Sequence, residues 1–168
     1  MEDIRKREKL YNELKPFIGD MVIKFSALES NMVSFIRSLI TKPWHESTDF
    51  TEIIIDEMSF NMRLKLMDRL VRHYLIESKK GENYFSSWEE IFSKVGSCNK
   101  NRNNIIHAIY EDLDPKTSRV KLSTKVGKKG LQTITQHITI EQINLIIKNI
   151  ENVDDDLYQF HCDGDLWD

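Results

Sequence analysis

The run Arg102-Asn103-Asn104-Ile105-Ile106-His107 holds residue types whose spacing could do chemistry. Imidazole titrates near working pH, so His107 can take a proton from a ribose 2′-hydroxyl and return one to a leaving 5′-oxygen. A guanidinium is permanently charged and grips phosphate through a two-pronged fork, so Arg102 can stabilise the negative charge that builds on a phosphorane. Asn103 would orient the imidazole or hydrogen-bond a phosphate oxygen. The nucleophile here is the internal 2′-hydroxyl, the product a 2′,3′-cyclic phosphate, and the expectation is a reaction that uses no metal and no other cofactor.

Helical spacing limits how these groups can meet. At about 100° per residue, Asn103, His107 and Tyr110 fall within one turn of each other on a polar face that also carries Asn99 and Lys100. Arg102 and His107 are about 140° apart by the same arithmetic. Either the length of the arginine side chain or a second copy of the helix across a two-fold axis must bring guanidinium to imidazole, which points to a site shared in a homodimer.

The helix that carries the run is expected to open after Ser86 or Ser87, with Glu89 and Glu90 in its first turn. Its apolar register reads Trp88, Ile91, Val95, Cys98, Arg102, Ile105, Ile109, so an arginine stands where the seam asks for a hydrophobe. Gly96 within it marks a kink or a close approach of another chain segment.

Other helices must pack against that seam. From Phe17 to Ile40, the residues Ile18, Met21, Phe25, Leu28, Met32, Phe35 and Leu39 recur at steps of three and four, and Val22, Val33, Ile36 and Ile40 widen the stripe to suit a bundle interior. A charged N-terminal segment, 1–16, precedes it and would end at Pro16. Lys42 to Asp49 reads as a loop, and Ile53-Ile54-Ile55 as a short strand or a helical turn. Phe60, Leu64, Met67, Val71 and Tyr74 define a helix from near Ser59 to about Ile76, stopped by Lys79-Lys80-Gly81-Glu82-Asn83. Alternation over 118–124 and 131–138 around Lys125 to Gly130 gives a β-hairpin or a long ordered loop. Thr139, followed by Glu141 and Gln142, starts a last amphipathic helix to about Phe160, ahead of an acidic tail, 161–168.

The 168 residues suit one domain, 1–168, able to bury a core without disulfide or metal. Cys98 and Cys162 fit no zinc or redox spacing and read as reduced thiols. A net charge of -3 argues against a non-specific DNA coat protein. It leaves room for local basic patches, and Lys125, Lys128 and Lys129 at the hairpin tip, with Lys100, are candidates for RNA phosphate contact or plain solubilising charge. No apolar run approaches the roughly 20 residues of a spanning helix, and the N-terminus is charged. No membrane association and a cytoplasmic location are the expectation.

A long helix containing Leu28-Glu29-Ser30, a later helix ending in Arg-Asn-x-x-x-His and a terminal helix after Ile138-Thr139 together resemble the HEPN superfamily. Its signature is an arginine, commonly followed by a polar residue, and then a histidine a turn or so further on; Arg102, Asn103 and His107 fit it. The resemblance implies a mainly α fold, a bundle of about four or five helices that dimerises so that two motifs face one cleft. It implies an RNase of toxin–antitoxin, abortive-infection or other antiviral systems, with RNA as substrate and a cognate antitoxin or sensor protein as a further partner. Some relatives carry a modified tyrosine two residues after the histidine; Ile109 stands there and Tyr110 comes one later. Glu29, at the margin of its stripe, would pair with Arg102, tune His107 or simply be solvated. Two other readings stay open: a non-catalytic adaptor whose cleft binds a nucleotide or partner protein, and a structural bundle in which Arg102 is buried against Glu29.

Overall fold

The seam of three-four stepping starts earlier than Pro16 suggests. In the computed structural model, which describes residues 2–41, 48–107, 109–113, 118–127 and 130–163, a single helix α1 runs Glu2–Thr41 with Pro16 inside it. Side-chain surroundings are described for 8–9, 11–41, 52–107 and 138–162. A proline in a helix interior costs about 3 kcal/mol in lost bond and steric clash. Pro16 is exposed, while Leu14 on one side and Met21 and Phe25 on the other are at most 3% exposed. Each such burial contributes about 1.5–3 kcal/mol, enough together to carry the helix through, so the expected stop at Pro16 is not a stop.

The chain is mainly helical. It continues with α2 (Thr48–Asp56), α3 (Phe60–Glu77), α4 (Glu82–Ile106), three strands β1 (Ile109–Leu113), β2 (Ser118–Gly127) and β3 (Gly130–Ile138), and α5 (Ile140–Asp163). Among the described residues no helix is long and apolar enough to cross a membrane. Two compact units are present: Met1–Phe25 with Cys98–Ile150, and Ser26–Ser97 with Glu151–Asp168.

The second unit packs Leu28, Met32, Phe35 and Leu39 of α1 with Leu64, Met67, Val71 and Leu75 of α3 and Trp88, Ile91 and Val95 of α4. Phe35 and Trp88 meet edge to face at 6.3 Å, and the tilted rings of Trp88 and Phe160 of α5 lie 5.4 Å apart. The Trp88 indole N–H donates to Asp68 at 2.9 Å, so its one polar atom is satisfied inside the core. The Ile53-Ile54-Ile55 run is helical. Arg63 donates to the carbonyls of Ile55 (2.9 Å) and Asp56 (3.1 Å), placing a cation on the C-terminal carbonyls of α2 where the helix dipole favours it.

Between α3 and α4 the backbone closes a Schellman turn: Lys80 N–H donates to Leu75 O at 3.0 Å and Lys79 N–H to Ile76 O at 3.1 Å. Lys79 takes the left-handed position, with φ 51°, that glycine usually fills. The turn is tight enough for α4 to begin at Glu82, before the expected start after Ser86 or Ser87. Ser86 lies inside the helix and returns its hydroxyl to Glu82 O at 3.1 Å, a bond that mimics a capping signal in the sequence. Gly96 produces no break in α4; a Cβ there would meet Leu64 Cδ2 at an ordinary 3.9 Å.

In the first unit, Leu14, Met21 and Phe25 of α1 are buried, as are Cys98 and Ile105 of α4 and Ile143, Ile147 and Ile150 of α5. Burial pushes the Cys98 thiol up to about 11, so it stays protonated and unreactive. The strands form one antiparallel sheet in the order β1-β2-β3. Gly127 pairs with Gly130, and Lys128 and Lys129 between them lie outside the described residues, as does the side chain of Lys125. α5 opens on a capping box: Thr139 N–H donates to Gln142 Oε1 at 3.0 Å, and Gln142 N–H donates to Thr139 Oγ1 at 3.2 Å.

α5 runs past Phe160, so His161 is no part of a frayed tail; residues 164–168 lie outside the described residues. Its ring stacks on Phe35 at 4.5 Å and its Nε2 lies 3.0 Å from Ser38 Oγ. Ser38 spends its one hydrogen on Phe35 O at 2.7 Å, so its oxygen accepts Nε2–H of the imidazole. Burial holds the His161 pKa below its ordinary value.

Two outcomes follow. Lys79→Gly should relieve the left-handed strain and raise stability by about 1 kcal/mol, read as a higher urea midpoint with an unchanged slope. Because the unfolded chain protonates its histidine before the folded one does, His161 withdraws stability as pH falls below about 6.5, levelling off only below the folded pKa. His161→Phe should therefore flatten the acid side of a plot of melting temperature against pH.

Candidate functional site

α4 delivers the arginine to its seam. Trp88, Ile91, Val95, Cys98 and Ile105 of the register are all buried, at 8% exposure or less, and Arg102 occupies the gap between Cys98 and Ile105. It is half-buried, with Nε fully buried and, among the described residues, without a hydrogen-bond partner. The guanidinium carbon sits 5.3 Å from the centroid of the Phe25 ring, a cation–π contact that gives the charged head an apolar floor. Nη1 donates to Asn103 Oδ1 at 2.8 Å. An unsatisfied buried donor costs about 1–3 kcal/mol, and the cation–π contact offsets about 0.5–2 kcal/mol of it.

The amide of Asn103 is used at both ends. Its oxygen accepts from Arg102 and its Nδ2 donates to Asn99 Oδ1 at 3.2 Å. Asn103 thus orients the guanidinium instead of the imidazole. Asn99, Asn103, Arg102 and Phe25 form one continuous contact chain from the surface of α4 to the buried face of α1.

His107 stands one residue past the end of α4 and is exposed. Its backbone N–H still donates to Asn103 O at 3.0 Å, so helical geometry reaches it and the wide angle between Arg102 and His107 holds. Among the described residues the imidazole has no partner. Lys100 is exposed on the same helix.

Two expected neighbours lie elsewhere. Ile109 is not the last residue of the α4 seam; it opens β1, and this moves Tyr110 off the helical face shared by Asn103 and His107 and into that strand. The side chain of Tyr110 lies outside the described residues. Glu29 belongs to the second unit, where its carboxylate pairs with Arg63 at 3.0 Å. The same guanidinium that closes α2 holds Glu29.

Beside the site, Asn101, Asn104, Ile105, Ile138, Gln142 and Ile146 line a narrow cleft of about 50 Å³. That is room for about one or two waters, far below the ~300 Å³ of a small-ligand pocket. A larger cleft, about 480 Å³, lies in the second unit along Tyr84, Lys94, Asp156 and Phe160, and contains neither Arg102 nor His107.

Of the residues at the site, Phe25 and Asn99 carry roles that the motif did not announce. Asn99 is four residues before Asn103, the spacing at which helical side chains meet, so its contact was legible. Phe25 was legible only as a core residue. The chain matches no protein-family model, no curated protein and no solved structure.

Replacing Arg102 by methionine keeps a long apolar stem in the seam and removes the orphaned Nε. Arg102→Met should melt at the wild-type temperature or a few degrees higher, since about 1 kcal/mol shifts a chain of this length by about 2–4 °C. A structural ion pair at this position would instead make it melt well below wild type.

Proposed function

We propose that this protein is a metal-independent RNA endonuclease of HEPN type, acting as a cytoplasmic homodimer in toxin or antiviral defence. The observation that carries the reading is the pairing of a fixed, permanently charged Arg102 with a solvent-facing His107 near one end of α4. Nothing in core packing calls for a guanidinium in that seam, and its burial is a cost to stability; an anionic substrate supplies the reason for keeping it.

In the proposed reaction His107 removes the proton from the 2′-hydroxyl, the 2′-oxygen attacks the adjacent phosphorus, and the 5′-oxygen leaves with a proton returned by imidazolium. Arg102 stabilises the dianionic phosphorane through the donors that Asn103 does not occupy. Asn103 acts by holding Arg102. Lys100 is available for backbone phosphate contact, and the hairpin lysines Lys125, Lys128 and Lys129 extend the same role. A cognate antitoxin or sensor protein would control the activity.

The wide angle between Arg102 and His107 and the small size of the adjacent cleft favour a site completed by a second copy of α4 across a two-fold axis. Each active pair then takes its arginine from one protomer and its histidine from the other.

Purified protein should cleave RNA in the presence of EDTA and leave 2′,3′-cyclic phosphate ends. Arg102→Ala and His107→Ala should each lower the rate by at least about 100-fold. Mixing and re-equilibrating the two inactive variants should restore about a quarter of wild-type activity, because half of the dimers are mixed and each mixed dimer has one intact pair. A strict requirement for added metal would remove the proposed mechanism, and absence of restoration would remove the shared site.

A further inference from the structure

Asn103 has to present one particular end of its amide to Arg102, and nothing in Asn103 itself selects that end. A guanidinium carries only donors, so the atom facing Nη1 must be Oδ1. A flipped amide would set NH₂ against the guanidinium, donor against donor. The same orientation is secured from the other side of the amide, where Nδ2 donates to Asn99 Oδ1 at 3.2 Å, one helical turn earlier.

We infer that Asn99 is a positioning residue for the site: it fixes the amide of Asn103, and through it the azimuth of the Arg102 fork above Phe25. The placement is independent of any reaction, whereas its catalytic consequence rests on the ribonuclease reading above. Arg102 can slide on the Phe25 ring, because a cation–π contact constrains height above the ring far more than rotation over it. The bond from Nη1 to Asn103 Oδ1 supplies the missing rotational constraint, and a phosphate needs that constraint because a bidentate fork is directional. Asn99, Asn103 and Arg102 are all half-buried on α4, so water competes only in part for these bonds.

The assignment makes a prediction about a pair of residues that simple helix packing does not make. A carboxylate at 103 offers an oxygen to Arg102 whichever way it turns, so it needs no partner to orient it. Asn99→Ala should lower RNA cleavage about fivefold to tenfold in the wild-type background and leave cleavage unchanged in the Asn103→Asp background. Asn99→Asp, which keeps the acceptor, should restore cleavage to near the wild-type rate.

The placement can be read without RNA from the guanidinium nitrogens of Arg102 by NMR. Wild type, Asn99→Asp and Asn103→Asp should show Nη signals held apart by slow rotation about the Cζ–Nη bonds; Asn99→Ala should show them averaged. If Asn99→Ala leaves the Arg102 signals separate, or lowers cleavage equally in both backgrounds, the positioning role is wrong. If the signals respond as stated and no variant, wild type included, cuts RNA, the positioning stands and the ribonuclease reading falls.

Discussion

One apolar stripe underlies both units. α1 keeps a residue on the same face at every third or fourth step from Leu14 to Leu39, and supplies core to the first unit up to Phe25 and to the second from Leu28 onward. The stripe is strong enough to carry the helix through a proline. It also places the floor of the site: Phe25 sits under Arg102 because it is one step in that stripe, and a one-residue slip of that stripe would bring Lys24 or Ser26 there instead.

Arg102 shows the opposite priority. Every other residue of the α4 seam from Trp88 to Ile105 minimises exposed apolar surface, and this one burdens the core with a cation and an orphaned Nε. Such local conflicts with packing mark places where a chain serves something other than stability. The neighbouring residues limit the cost without removing it: an aromatic face below, an amide oxygen at one Nη, and a second amide behind the first.

The seams of α1, α3, α4 and α5 were legible in the sequence because burial of one face imposes a period on the order of apolar residues. Boundaries were less so. Ser86 imitates a cap while serving as an interior back-bond, and the true start of α4 depends on a left-handed Lys79 that no glycine advertises. Ile109 continues the α4 period in the sequence, but the chain leaves the helix at Ile106 and spends Ile109 on strand pairing with Lys121. Within the candidate site, Arg102, Asn103 and His107 stand out in the sequence by chemistry and spacing. The partners of Glu29 and Arg102 do not, because choosing between Arg63 and Arg102, or finding Phe25, requires knowing which helices touch.

Among the described residues, the bond from His107 N–H to Asn103 O is the last backbone bond at the C-terminal end of α4, and helix ends open far more readily than their interiors. Arg102 and His107 therefore differ in how firmly the structure holds them. Arg102 sits in the last turn of α4 but is held from the side by Asn103 and the Phe25 ring, while His107 lies one residue past the end of the helix and is exposed. Protection of the backbone amides against exchange should therefore fall steeply over the last turn of α4, between the residue that carries the guanidinium and the one that carries the imidazole.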